Sequence, residues 1–301
     1  MPRYAIVEAP SALGHVPEHR GVERAPEVLL GAGLADGLAA RRAGRVGAPG
    51  YSAERDPRTQ VMNPQAIRGY SARLADAVAA VLDEGEFPVV LGGDCSILLG
   101  TMLALRRRGR YGLIYIDGDA DFYQPEVNPL SGAASASDLA FATGRGPDVV
   151  ADIEGQRPLV RDDDVVVFAC RDAVARERAG CQPLPDNLRV VDRDQVRILG
   201  AGPAASEAVR YLTRDAGPVD GFWVHLDADV FDETIMQAVD DPRPDGLVWD
   251  EVVSALTVAV RSGRAVGLQV AIYNPDIDAD GSNGRGLAAA VREALAASAD
   301  V

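Results

Sequence analysis

Three carboxylates stand two residues apart at the end of an apolar run, Leu113-Ile114-Tyr115-Ile116-Asp117-Gly118-Asp119-Ala120-Asp121-Phe122. Side chains of an extended segment alternate between faces, so Asp117, Asp119 and Asp121 are expected to point the same way. Like charges that close cannot all stay ionised unless a cation joins them. The pattern returns in Phe222-Trp223-Val224-His225-Leu226-Asp227-Ala228-Asp229. One Asp-rich strand end alone reads as a solvated turn. Two of them, with Gly92-Gly93-Asp94-Cys95-Ser96 after a third apolar run, predict a shared site for polyvalent metal.

The elements that must carry these residues are short and regular. Strands are expected at Tyr4–Glu8, Phe87–Leu91, Gly112–Ile116, Asp164–Cys170, Leu188–Val191, Gly221–Leu226 and Ala265–Ile272. From Pro64 to Glu84 the apolar positions Ile67, Leu74, Ala77, Val78 and Val81 recur at helical spacing, and Gly85 stops the helix. Further helices are expected at Pro26–Leu34, Ile97–Arg108, Ala136–Thr143, Ala204–Arg214, Trp249–Arg261 and Leu287–Ala297, while residues 41–64, rich in Arg, Gly and Pro, read mainly as loop. Wholly apolar strands alternating with helices predict an α/β fold, a three-layer α/β/α arrangement around a mainly parallel sheet. No repeat or linker divides the chain, so residues 1–301 are read as a single domain. Ligands in such sheets sit outside the carboxyl ends of the strands. Cys95, Asp117–Asp121 and Asp227–Asp229 all fall there.

The formal charge of −15 argues against nucleic acid and anionic membrane as partners, both of which call for basic patches. Three widely spaced cysteines make no disulfide framework: Cys170 reads as core, Cys181 as a bystander. No apolar run approaches the ~18 residues of a membrane span, and the first residues lack a signal-peptide layout. A cytoplasmic protein with a small-molecule substrate is expected.

Three segments together resemble the arginase/agmatinase/formiminoglutamase (ureohydrolase) family. Its Gly-Gly-Asp-His-Ser segment is similar to Gly92-Gly93-Asp94-Cys95-Ser96. Its Asp-Ala-His-x-Asp segment is similar to Asp117–Asp121, and its Asp-x-Asp-x-x-Asp-Pro segment to Asp227–Glu233. Gly21–Pro26, Asp241–Leu247 and Tyr273-Asn274-Pro275 extend the resemblance along nearly the whole chain. It implies an arginase-like fold, trimers or hexamers, and a two-metal centre. One ion would be held by Cys95, Asp117, Asp121 and Asp227, the other by Asp119, Asp117, Asp227 and Asp229. Manganese is the family's usual metal; zinc, iron or magnesium are alternatives. A hydroxide generated by the metals would attack an amidine or guanidinium carbon, with Asp121 orienting it and handling its proton.

The chain departs from the family at several positions. Cys95 and Asp119 stand where the family has its two metal-binding histidines. The proton-shuttling histidine corresponds to Ser135 in Ser131-Gly132-Ala133-Ala134-Ser135-Ala136, and the guanidinium-gripping carboxylate to Ile272. The implied activity is hydrolysis of a C–N bond, other than a peptide bond, in a linear amidine, guanidine or related amide. Arginine and agmatine are disfavoured in the family's usual pose, because Ile272 cannot pair with a cation. The alternative is a family member that binds metal or a small ligand without efficient turnover. Tyr123, Ser131 and Ser135 are the candidate substrate-binding residues. His225 is expected to support the site from beside the metal. Whether another acid or base converges on it, with His15, His19, Asp138 and Tyr123 as candidates, separates the active from the silent reading.

Overall fold

The computed structural model describes residues 2–127, 132–215 and 219–296. Its centre is one eight-stranded sheet: β1 (Tyr4–Ala9), β2 (Arg41–Arg45), β3 (Phe87–Gly92), β4 (Gly112–Ile116), β5 (Val165–Phe168), β6 (Arg189–Val191), β7 (Phe222–Asp227) and β8 (Ala265–Ala271). The strand order is β2-β1-β3-β8-β7-β4-β5-β6, and every neighbouring pair is parallel.

Strand alternation divides the apolar residues between two cores. Ile6, Val89, Leu91, Ile114, Ile116, Val224, Leu226 and Leu268 face one side, with the helices Ala201–Leu212, Trp249–Arg261 and Ser282–Ala296. Ala5, Val7, Val90, Leu113, Tyr115, Val167 and Trp223 face the other, with the helices Pro64–Asp83 and Leu98–Arg106. Both faces are covered, which is why the central strands are mostly apolar, with His225, Asp227 and Gln269 as buried polar exceptions. The three-layer α/β/α architecture follows. Cys170 belongs to the second core, as expected.

Residues 41–64, expected to be mainly loop, begin with Arg41–Arg45, which forms the edge strand β2 beside β1. Its side chains are mostly exposed, so no apolar pattern betrays it. Backbone pairing holds it, and Arg42 and Arg45 pair with the buried Glu8 of β1. Arginines on an edge strand also discourage pairing with another chain. Short helices at Ala173–Arg178 and Arg193–Leu199 likewise escaped the periodicity, being too brief to display it.

The four central strands, β3, β8, β7 and β4, end in the Gly-Gly-Asp-Cys-Ser segment, Ile272, Asp227 and Asp117 respectively. The turn after β3 needs its second glycine. A Cβ on Gly93 would lie 1.8 Å from the carbonyl oxygen of Ser11, where the backbone following β1 crosses it. Gly93→Ala is therefore expected to cost about 1–3 kcal/mol through overpacking. Urea unfolding checks this; a variant as stable as the parent would show that the crossing is slack.

Candidate metal centre

Each ligand-bearing turn is shaped locally by a carboxylate taking a backbone N–H. Asp94 accepts from the Ser96 N–H at 2.9 Å and from the Ser11 hydroxyl at 2.9 Å, which aims Cys95 inward. Asp117 accepts from the Asp119 N–H at 2.6 Å, and Asp227 accepts from the Asp229 N–H at 2.7 Å. The two Asp-x-Asp segments thus make the same turn, and they are tied together by the Gly118 N–H donating to Asp229 at 3.0 Å.

This geometry corrects the expected alternation. The strand stops at Ile116, and Asp121 adopts φ 43°, a left-handed conformation uncommon outside glycine. The three carboxylates converge through a turn instead of lying along one face of an extended strand. Left-handed backbone at a side chain of this kind concentrates at functional sites. Ile272 is a second case, with φ 69° despite its β-branch.

The turns open into a cavity of about 510 Å³ lined by Cys95, Asp119, Asp121, Asp227, Asp229, Tyr123, Ser135 and Ile272 among others. Asp117 lies fully buried beneath it. Ser131 lies outside the described residues. His15, His19, Asp240 and Arg243 line the same cavity. His15 is buried, contrary to the usual exposure of loop histidines.

One set of donors is packed tightly. Ligand atoms of Cys95, Asp117, His225 and Asp227 all lie within 4.8 Å of one another. The Cys95 thiol donates to Asp227 at 2.6 Å and sits 3.9 Å from His225 Nε2, which is 3.7 Å from Asp117 Oδ2. Burial, reinforced by Asp119, pushes the Asp117 carboxyl up to about 7. Burial and the charge of Asp227 raise the Cys95 thiol, while burial and the neighbouring Asp229 and Asp117 raise Asp227. Asp117 Oδ2 is buried with no hydrogen-bond partner. A buried orphan carboxylate oxygen beside a thiol and a further carboxylate suits a divalent cation, which would reverse these shifts by stabilising the charged forms.

His225 is oriented from behind. The Gln269 side-chain oxygen accepts from Trp223 Nε1 at 3.0 Å and from the Thr101 hydroxyl at 2.6 Å. An indole nitrogen can only donate, so the Gln269 amide nitrogen must face His225 Nδ1, at 2.7 Å, and donate to it. Burial pushes the imidazole down to about 3, so it is neutral with its proton on Nε2. That N–H points at Asp117 and Cys95. Gln269, Thr101 and Trp223 were not found by sequence reasoning, since partners on two adjoining strands and a helix, 44 to 168 residues apart in the chain, share no local pattern.

Asp121 joins a different network. The Tyr115 hydroxyl bridges Asp121 at 2.7 Å and Asp138 at 2.9 Å. A hydroxyl has one proton to give, so one of the two carboxyls must itself be protonated and donate. Burial, then the charge of Asp117, raises both. Asp138 therefore converges on the centre through Tyr115.

The Asp119 side differs again. The Arg243 guanidinium is in ion-pair contact with the Asp119 carboxylate and reaches Asp241 at 3.1 Å. Arg171 donates at 2.8 Å to the carbonyl of Asp229. Where the family resemblance places a metal-binding histidine, this chain has a carboxylate neutralised by an arginine of its own. Arg243 sits in a segment quoted above only as a match, and nothing in its local pattern marks it as a partner of Asp119.

Comparisons with known proteins agree with this architecture. A family model described as the arginase family matches residues 3–297. The arginase of Bacillus subtilis (strain 168) is 25% identical over 293 residues, covering 93% of each chain. The arginase of Bacillus caldovelox superposes with a TM-score of 0.86 at 24% identity, covering 98% of both chains. A formimidoylglutamase from Bacillus subtilis shares the fold at a TM-score of 0.74 and 16% identity, covering 99% of this chain and 87% of that one.

Proposed function

Because the chain belongs to the arginase family, we propose that it is a metal-dependent hydrolase cleaving a C–N bond, other than a peptide bond, in a linear amidine, guanidine or related amide. The observation that carries this reading is the orphaned, buried Asp117 oxygen packed against Cys95 and Asp227 at the carboxyl ends of three central strands. Cys95, Asp117 and Asp227 would hold the ion, with Asp121 and Asp229 at its margin. A bound ion would supply Lewis acidity and a lowered pKa for water. Manganese is the family's usual choice, and the Cys95 thiolate adds affinity for zinc or iron. The His225 N–H steadies the ligand charge, and the Tyr115–Asp121–Asp138 network keeps a proton beside the cavity.

Ile272 makes the cavity wall apolar where a cationic substrate would need a carboxylate. A neutral amidine or amide suits that wall better than arginine or agmatine. A second reading, a member that binds metal without efficient turnover, is favoured by one feature. Arg243 already neutralises Asp119, so the second ion of a binuclear centre has lost part of its ligand charge.

Elemental analysis after manganese, zinc or iron loading, with a screen of amidines, guanidines and amides, tests both. About one ion per chain with turnover supports the first reading, and about one ion with none supports the second. No bound metal under any loading would sink both. Arg243→Gln is expected to raise the content from about one ion towards two, since Asp119 would regain a need for a cation. An unchanged count in that variant would remove the role given to Arg243.

A further inference from the structure

Ser135, His15 and Asp240 come from three distant segments and meet on the wall of the cavity that holds Cys95 and Asp121. The Ser135 hydroxyl lies 3.3 Å from His15 Nδ1, and the other ring nitrogen, Nε2, is in ion-pair contact with Asp240. His15 is 2% exposed and Ser135 5%. Asp240 also approaches His19, whose Nδ1 is 3.9 Å away and whose side chain is 30% exposed. The imidazole is thus held on both edges, and its carboxylate partner leads to a second histidine that opens on solvent.

We propose that Ser135, His15 and Asp240 form a hydroxyl–imidazole–carboxylate relay that delivers protons to the cavity. The proposal rests on the hydrolytic reading for its use, but its geometry is independent of any metal. With Asp240 taking the Nε2–H, Nδ1 is left to exchange a proton with the hydroxyl. In the productive direction the Ser135 hydroxyl gives its proton to the leaving amine nitrogen. It recovers one from Nδ1, so the imidazolium becomes neutral while Nε2 keeps its proton against Asp240. A proton taken up from solvent at the Ser135 hydroxyl and passed on to Nδ1 restores the imidazolium, with the Nε2–H held against Asp240 throughout. Ser135 is the catalytic residue here, and His15 and Asp240 act through it.

The surroundings favour a charged His15. Burial alone would lower it, but Asp240 outweighs burial, with smaller contributions from Asp94 and Glu23, and the group is held above its ordinary value. The backbone around it is anchored: the Tyr51 hydroxyl donates to the His15 carbonyl at 2.9 Å, and the Ser135 N–H donates to the Gly14 carbonyl at 3.1 Å.

A thiol placed at the hydroxyl reads the relay without a substrate. In a Cys181→Ser parent, Ser135→Cys is alkylated with iodoacetamide across pH, and modification of position 135 is followed by peptide mass mapping. A thiol beside an imidazolium has a midpoint about one unit or more below the ordinary ~8.5. Adding His15→Asn is expected to return the midpoint to the ordinary value, and Asp240→Asn to move it part of the way. A midpoint indifferent to His15, or no alkylation at any pH, would overturn the proposal. Should Ser135→Cys fail to fold, imidazole nitrogen shifts of the wild-type chain decide. With three histidines in the sequence, the His15 midpoint must lie above the ordinary imidazole value and return towards it in Asp240→Asn, and a His15 midpoint that Asp240→Asn leaves unmoved would overturn the relay. If no metal binds yet the thiol midpoint shifts, the hydrolytic reading falls while the relay stands.

Discussion

Asp117→Ala is expected to strip the bound ion and to lower C–N hydrolysis about 10³-fold or more, because an ion acting as Lewis acid supplies several kcal/mol of transition-state stabilisation. Asp117 is the pivot of the centre. Its Oδ1 shapes the turn that carries Asp119, and its Oδ2 is the oxygen with no hydrogen-bond partner. Elemental analysis and turnover must fall together. Activity that survives with the ion gone would place the chemistry elsewhere in the cavity. An ion retained at full occupancy would mean that Cys95 and Asp227 suffice without it.

The metal-free protein is expected to lose stability as pH rises from about 4 to about 7. Asp117 has an ordinary value of 3.8 and is pushed up to about 7 in the fold. Between those values the folded chain binds a proton that the unfolded chain has released, so unfolding becomes easier with rising pH. Three units correspond to about 4 kcal/mol for this group. Asp227, Asp229 and Asp121 are shifted in the same direction, burial being the first cause in each. A saturating divalent ion should abolish the slope by giving the ionised carboxylates a partner. Melting temperatures in chelator at pH 5 and pH 8, and again with manganese or zinc, check this. A chelated protein that is more stable at pH 8 than at pH 5 would show that the carboxylates are relieved by some other means. Asp117→Asn should flatten the chelated slope even though it weakens metal binding, which separates relief of repulsion from loss of a ligand.

Much of the fold was legible in the sequence because burial leaves a local trace. β4 and the helix Trp249–Arg261 have the bounds expected of them, and the other central strands differ only at their ends. Strands covered on both faces are apolar except where a buried polar side chain finds a partner, as His225 and Gln269 do, and amphipathic helices must show one apolar stripe. β2 escaped because its side chains face solvent and only its backbone pairs. The residues Cys95, Asp119, Asp121, Asp227 and Asp229 were legible as cavity-lining groups because each follows a strand end, where parallel sheets open.

By itself, the sequence determined that carboxylates and a cysteine would gather at the ends of parallel strands, since chain order and apolar pattern dictate where strands stop. Only the tertiary structure decided what each one meets. Asp119 meets Arg243, Asp121 meets Tyr115 and Asp138, His225 meets Gln269, and His15 meets Ser135 and Asp240. Most of these pairs are separated by tens to hundreds of residues. No local periodicity constrains such a distance; the crossover of strands β3, β8, β7 and β4 does, by bringing remote loops to one rim of the sheet.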